Sequence, residues 1–124
     1  MSSIADPQAY FDALGGLHDV NIDRLAIDIE ASTLTLQIDD LRANFANPPP
    51  VPPQSATIVF AEVIDLRLAF DLREGVRIGS LEIRRFERGF ELRLALSSGG
   101  IPDDDATWWV SARFGSVSLV ENTQ

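Results

Sequence analysis

Residues 80–96 read SLEIRRFERGFELRLAL, and this stretch decides the fold. A reversal within residues 86–90 places apolar residues opposite each other on one face and oppositely charged residues opposite each other on the other. The apolar pairs are Ile83–Leu92 and Leu81–Leu94, and the charged pairs are Glu82–Arg93 and Arg84–Glu91. Each such pair contributes about 0.2–1 kcal/mol. The stretch therefore predicts a β-hairpin, with the Phe86 ring covering the bare backbone of Gly89.

The same two-residue period appears in residues 17–42, on both sides of Ala31-Ser32. A turn at these two residues brings the aliphatic side chains to one face, although Ala-Ser suits a two-residue turn poorly. The pairs in that register are Ile29–Leu34, Ile27–Leu36 and Leu25–Ile38. The apolar residues of the first strand are even-numbered before Asp23-Arg24 and odd-numbered after it. This change of parity predicts a β-bulge in the first hairpin.

Residues 57–97 are predicted to form a three-stranded meander. Residues 57–72 keep one apolar parity throughout, which indicates a single long strand, and Arg73-Glu74-Gly75 then supplies a turn. The parity slips at Gly79-Ser80, where we expect a second bulge. Residues 106–121 alternate again and predict a C-terminal strand or strand pair that bends at Gly115.

Two other segments complete the expected layout of one domain over residues 1–124. Residues 6–15 have the marks of a short helix, with Asp6 as its N-cap and Pro7 in the first turn. The proline-rich residues 46–55 are expected to run as an extended crossover. Consecutive hairpins without βα alternation predict an all-β, antiparallel, curved sheet, arranged as a sandwich or half-barrel.

Composition places the chain among ordinary globular proteins. It has 124 residues, of which 45% are hydrophobic and 23% are charged. No apolar stretch reaches the roughly 18 residues of a membrane span, and the first ten residues lack the pattern of a signal peptide. There is no cysteine, hence no disulfide or thiolate metal site. We therefore expect a cytoplasmic protein.

The charge is strongly acidic, with a formal net of −9. Residues 1–62 contain nine acidic residues and two arginines, whereas residues 63–124 contain ten acidic residues and eight arginines. This field repels nucleic acid and anionic membranes, and it would attract a basic protein partner to the N-terminal half. A solubilising surface explains the same charge. The sequence leaves the oligomeric state open.

His18 and Asp19 are the first candidates for chemistry, because His18 is the single histidine. A metal site needs three or four ligands, and a hydrolase needs a nucleophile in reach of the imidazole. No spacing in the sequence supplies either, so we predict no catalytic, metal or cofactor residues. The simpler interpretation is structural: His18 and Asp19 hydrogen-bond to backbone where the first long strand begins.

Three further patterns are more typical of structure than of a site. Asp103, Asp104 and Asp105 lack the ligand spacing of a calcium loop and indicate a solvated loop. Residues 49–52 formally match a PxxP ligand, but a rigid linker is the simpler interpretation. The arginines of residues 73–93 have glutamate partners across the hairpin, which disfavours an anion site.

Trp108 and Trp109 are the candidate contacts for a partner. Adjacent residues of a strand point to opposite faces, so one indole is expected in the core. The other is either covered by the N-terminal helix or exposed as a contact residue, since tryptophan is enriched in interfaces.

The order of these elements resembles that of small bacterial all-β proteins with a His-Asp signature, including the immunity protein 50 type and related uncharacterised families. The residues that carry the resemblance are Leu17, His18 and Asp19. It implies a protein that neutralises a toxin, or one of unknown role, and it supplies no catalytic residues.

Three hypotheses follow from the sequence. The first is a non-enzymatic protein-interaction domain of the toxin-immunity kind. The second is a small-ligand-binding β-domain that uses the concave sheet face, which requires an enclosed apolar cavity there. That cavity is excluded if the face is filled by Leu66, Leu68, Phe70, Ile83 and Leu92. The third is a hydrolase centred on His18.

Overall fold

The computed structural model describes residues 2–17, 20–41, 54–69, 77–97 and 108–122. Its helix is α1 (Pro7–Ala13), followed by a short 3-10 turn at Gly15–Leu17. Its strands are β1 (Ser2–Ser3), β2 (Ile22–Asp28), β3 (Thr33–Ile38), β4 (Ala56–Ala61), β5 (Asp65–Ala69), β6 (Arg77–Phe86), β7 (Gly89–Ser97), β8 (Trp108–Phe114) and β9 (Ser116–Glu121).

The strands form two antiparallel sheets, as the all-β prediction requires. The five-stranded sheet has the order β1-β9-β4-β3-β2, and the four-stranded sheet has the order β5-β8-β7-β6. The two sheets are separate, are not closed into a barrel and share one core, which fits the sandwich rather than the half-barrel.

One apolar core lies between the two sheets, because each inner strand turns every second side chain inward. Phe60 of β4 and Phe114 of β8 join the two layers, with their ring centroids 5.0 Å apart in an edge-to-face arrangement. Among the described residues, none with a polar or charged side chain is buried. The sandwich is therefore held mainly by the removal of apolar surface from water.

The β6–β7 hairpin has the predicted register at every pair. Ile83 lies opposite Leu92, Glu82 opposite Arg93, and the hairpin closes with Phe86 opposite Gly89. The predicted bulge is also present, since the register shifts between Ile78 and Ser80. Apolar pairs on one face and charged pairs on the other leave no competing alignment of equal quality.

The first hairpin is present, but its predicted register is wrong by two residues. Ile27 pairs with Leu34 rather than Leu36, while the bulge near Asp23-Arg24 is confirmed by a register shift between Ile22 and Arg24. The reversal occupies residues 29–32, where the Asp28 carboxylate accepts a hydrogen bond from the Ala31 amide at 3.0 Å. An Asp that binds the backbone of its own turn outcompetes a two-residue Ala-Ser turn. A shift of two keeps the apolar face inward, so the pattern alone could not exclude it.

The predicted three-stranded meander over residues 57–97 is also wrong. The predicted long strand divides after Ala61, so that β4 belongs to the five-stranded sheet and β5 to the other. Strand β5 pairs with β8, and β7 and β8 lie between β5 and β6. At the bend, Glu62 takes a left-handed φ of 57° and the Gly115 amide donates to the Ala61 carbonyl at 3.0 Å. Strands that change sheets at a corner need such a break, which side-chain parity does not reveal.

The N-terminal helix is confirmed, with Asp6 accepting a hydrogen bond from the Ala9 amide at 3.1 Å and Pro7 in the first turn. Its Phe11 side chain is buried, and the helix packs beside β6. Gly16, with φ of 67°, lies so close to β6 that a Cβ atom added to it would be 3.1 Å from the Leu81 carbonyl oxygen. One edge of the four-stranded sheet is thereby covered.

Parts of other predictions lie outside the described residues. These are most of the proline-rich crossover, the Arg73-Glu74-Gly75 turn, and the loop that contains Asp103, Asp104 and Asp105.

Candidate interaction surfaces

His18 and Asp19 lie outside the described residues, so their roles stay predictions. The residues that flank them are well defined. Leu17 and Val20 are both completely buried, and the Val20 amide donates to the Leu17 carbonyl at 3.1 Å. The Val20 carbonyl in turn accepts from the Ile78 amide at 2.8 Å. The chain is therefore tied to β6 on the C-terminal side of this dipeptide.

Trp109 is partly exposed on the outer face of the four-stranded sheet. It lines a groove of about 430 Å³ with Glu82, Arg93 and Ser111, and the residues described around this groove come from β6, β7 and β8. Helix α1 therefore does not contribute to the part of the groove that is described. Trp108 lies opposite Leu96 in the β7–β8 ladder, and its side chain is not among those that the structure describes.

A charged network occupies the same outer face. The Glu91 carboxylate lies 2.9 Å from Nε of Arg93, 3.8 Å from Arg84 and 4.0 Å from Arg113. The Arg113 guanidinium also covers the Phe86 ring, 4.1 Å from its centroid. The Arg84–Glu91 contact joins β6 to β7 as the sequence predicts. Arg113 adds a contact from β8 that the sequence did not predict, and Arg93 contacts Glu91 along the same strand.

An apolar depression lies where the β2–β3 hairpin approaches the start of β5. Its volume is about 270 Å³, and Val63 and Leu66 contribute to its lining. Beside it are two of the most exposed large apolar side chains, Ile29 (88% exposed) and Ile64 (80% exposed), and Ile27 is 46% exposed.

Asp28 and Asp65 line the same depression, and Glu30 follows Ile29 in the chain. Asp28, Glu30 and Asp65 are all exposed. We define the hairpin surface as Ile27, Asp28, Ile29, Glu30, Ile64 and Asp65. An apolar centre with a charged rim is the usual composition of a surface that binds another protein.

Sequence reasoning did not find this surface, because it placed Ile29 on the apolar face of the first hairpin and Ile64 inside one long strand over residues 57–72. Ile29 falls within the turn once the register shifts by two residues, and Ile64 follows the bend that ends β4. Two features of the sequence could have placed Ile29 in the turn. Ala31-Ser32 suits a two-residue turn poorly, and Asp28 can initiate a longer one. No comparable signal marks Ile64.

A larger groove of about 720 Å³ lies between the N-terminal segment and β9, lined in part by Asp6, Tyr10 and Leu119. This volume lies in the range of ligand sites. It is not on the face between the sheets, where Ile83 and Leu92 are buried in the core.

In the part of the chain that the structure describes, no group of three or more acidic or histidine side chains is placed to hold a metal ion. No helix in the same part has the length and apolar character needed to cross a membrane.

Comparison with models of known protein families, with curated proteins and with solved structures finds no match to this chain. Its candidate function therefore rests on its own residues.

Proposed function

We propose that this protein is a non-enzymatic interaction domain that binds a basic protein through the hairpin surface. The observation that carries the proposal is that Ile29 and Ile64 lie at the same depression, beside acidic side chains. Both are at least 80% exposed. Burying such residues against a partner yields roughly 25 cal/mol for each Å² of apolar area removed from water.

The electrostatic field supports a basic partner. The net charge is −9, and the hairpin surface contributes Asp28, Glu30 and Asp65. Complementary charges accelerate encounter and select among partners, while the apolar centre sustains the bound complex. Salt weakens the first effect much more than the second.

The non-enzymatic part of the proposal rests on the sequence. With a single histidine and no cysteine, the sequence shows no nucleophile–histidine arrangement and no zinc-type ligand set. The likeness in Leu17, His18 and Asp19 to immunity proteins suggests a toxin as the class of partner.

The first experiment tests binding. Basic proteins encoded beside the gene are passed over immobilised wild-type protein at low salt, and then over an Ile29→Asp variant. Val120→Asp is the matched control, because Val120 is also exposed (37%) but lies on β9. We expect the wild type and the Val120 variant to retain a partner that the Ile29 variant loses. Failure of the wild type to retain any of them at low salt contradicts the proposal.

The second experiment tests the toxin-immunity role. A candidate toxin is expressed in cells with the wild type, with Ile29→Asp or with Val120→Asp. Growth restored by the wild type and the control but not by Ile29→Asp supports neutralisation through the hairpin surface. Equal rescue by all three places the toxin contact elsewhere and contradicts this assignment.

A second candidate function is binding of a small ligand in the N-terminal groove. Its volume of about 720 Å³ and the presence of Tyr10 favour this over a site between the sheets. A ligand that raises the melting temperature of the wild type but not of an Ala9→Trp variant, which narrows the groove, would support it. No such ligand in a broad metabolite screen would count against it.

A further inference from the structure

Strand β5 is an edge strand of the four-stranded sheet. Among the described residues, no strand pairs with β5 along the edge opposite β8. The other edge strand of that sheet, β6, has α1 next to it. An uncovered edge presents backbone N–H and C=O groups that can pair with another strand. The question is which strand fits it.

The two faces of β5 differ in character. Asp65 and Arg67 lie on the outer face, where Nε of Arg67 is 3.8 Å from the Asp65 carboxylate. Their side chains are 46% and 72% exposed. Leu66 and Leu68 pair with Ala112 and Val110, which are buried between the sheets, so the leucines lie on the inner face. Leu68 is nevertheless 39% exposed.

This pattern is complementary to itself in one antiparallel register. When two copies of β5 are aligned about Leu66, Asp65 of each copy lies opposite the partner's Arg67, and Leu66 lies opposite the partner's Leu66. Alignment about Arg67 would instead place two guanidinium groups together. Alignment about Asp65 would place two carboxylates opposite each other. Alignment about Leu68 would form no ion pair.

We propose that the protein forms a symmetric dimer in which the β5 strands of two copies pair antiparallel about Leu66. The two four-stranded sheets then become one eight-stranded sheet, with a two-fold axis perpendicular to it. Backbone hydrogen bonds supply the continuous ladder, and two charged pairs on the outer face with one leucine pair on the inner face determine the register.

The dimer also accounts for the partial exposure of Leu68, which becomes covered beside the partner strand. A two-fold axis perpendicular to the joined sheet places both five-stranded sheets on the same side. The hairpin surfaces of the two copies then lie on that side as well. Dimerisation does not depend on the partner proposed above. Because Asp65 belongs to both interfaces and Ile64 adjoins the paired strands, it would compete with that partner for this part of the hairpin surface, while Ile29 lies outside the paired strands.

Charge-reversal variants test the register. The mass in solution is measured by sedimentation velocity over a range of micromolar concentrations, with circular dichroism confirming the fold. We expect the wild type to be dimeric, and Arg67→Asp and Asp65→Arg each to be monomeric, because both create like-charge pairs. Arg88→Asp, which makes the same charge change in the β6–β7 turn, is the matched control and should remain dimeric.

Mixing the two monomeric variants is the decisive measurement. The two acidic positions of Arg67→Asp then face the two basic positions of Asp65→Arg, so an equimolar mixture should form heterodimers. The double variant Asp65→Arg/Arg67→Asp should dimerise alone, since exchanging the charges keeps the complementarity. A monomeric wild type, dimeric single variants or a mixture that stays monomeric would each overturn the proposal. Loss of partner binding by Ile29→Asp, with dimerisation intact, separates this inference from the proposed function.

Discussion

Gly89 of β7 lies so close to Phe114 of β8 that a Cβ atom added to Gly89 would come within 2.5 Å of the Phe114 carbonyl oxygen. The sequence explained Gly89 by the Phe86 ring across the hairpin. The structure adds a stronger reason, which is the close approach of a neighbouring backbone.

Gly89→Ala is therefore expected to destabilise the protein. A backbone carbonyl cannot move aside as a flexible side chain does, so the cost should be about 1–3 kcal/mol. Urea unfolding measures it. Gly79→Ala is the matched control in the same hairpin, because its Cβ would lie 3.3 Å from the Ala95 carbonyl oxygen. Equal costs for the two variants would contradict the close approach at Gly89.

Phe60→Ala should be the most destabilising of the substitutions considered, because Phe60 is completely buried and joins the two sheets. The expected cost is about 3–5 kcal/mol, the usual range for removing a core aromatic ring. A double-mutant cycle with Phe114→Leu should also show a coupling of about 0.5–1.5 kcal/mol from the ring pair. Strict additivity would show that the two rings do not interact.

Ser32→Gly should stabilise the protein, because Ser32 takes a left-handed φ of 57° in the β2–β3 turn. Relief of that backbone strain should gain up to about 1 kcal/mol. Ala31→Gly is the control: its φ is not left-handed, so added backbone freedom should cost about 0.5–1 kcal/mol. Thermal or urea unfolding distinguishes the two signs. A destabilising Ser32→Gly would argue against this turn.

Glu91→Gln should lower stability only modestly, by about 1 kcal/mol, since the side chains of the three arginines around Glu91 are 43–59% exposed and water screens their ion pairs. The loss should shrink at high salt, because screening weakens the ion pairs that it removes. Glu87→Gln, in the exposed β6–β7 turn, should have a smaller effect at low salt. A loss that is independent of salt would indicate packing rather than charge.

His18→Ala should lower stability by about 1–2 kcal/mol, the range for a lost hydrogen bond whose partner stays unsatisfied. This prediction comes from the sequence. Urea midpoints and partner binding are to be measured on the same samples. A variant of wild-type stability that no longer binds its partner would show that His18 belongs to a functional site.

Local patterns were sufficient for much of the fold. The β6–β7 hairpin was predictable in detail because its charged and apolar pairs agree in one register. The N-terminal helix was predictable because Asp6 and Pro7 act within one turn of chain. Both bulges were visible because an extra residue changes the parity of every side chain after it.

The tertiary structure decided how these pieces assemble and where a surface forms. Alternation continues without a change of parity from β4 into β5, yet Glu62 turns the chain into the other sheet and β8, distant in sequence, becomes the neighbour of β5. A shift of two residues moved Ile29 from the core to an exposed turn without altering which face is apolar. Side-chain parity reports only which face of a strand is buried. Which strand lies beside it, and which aliphatic residue remains in water, depends on contacts between distant segments.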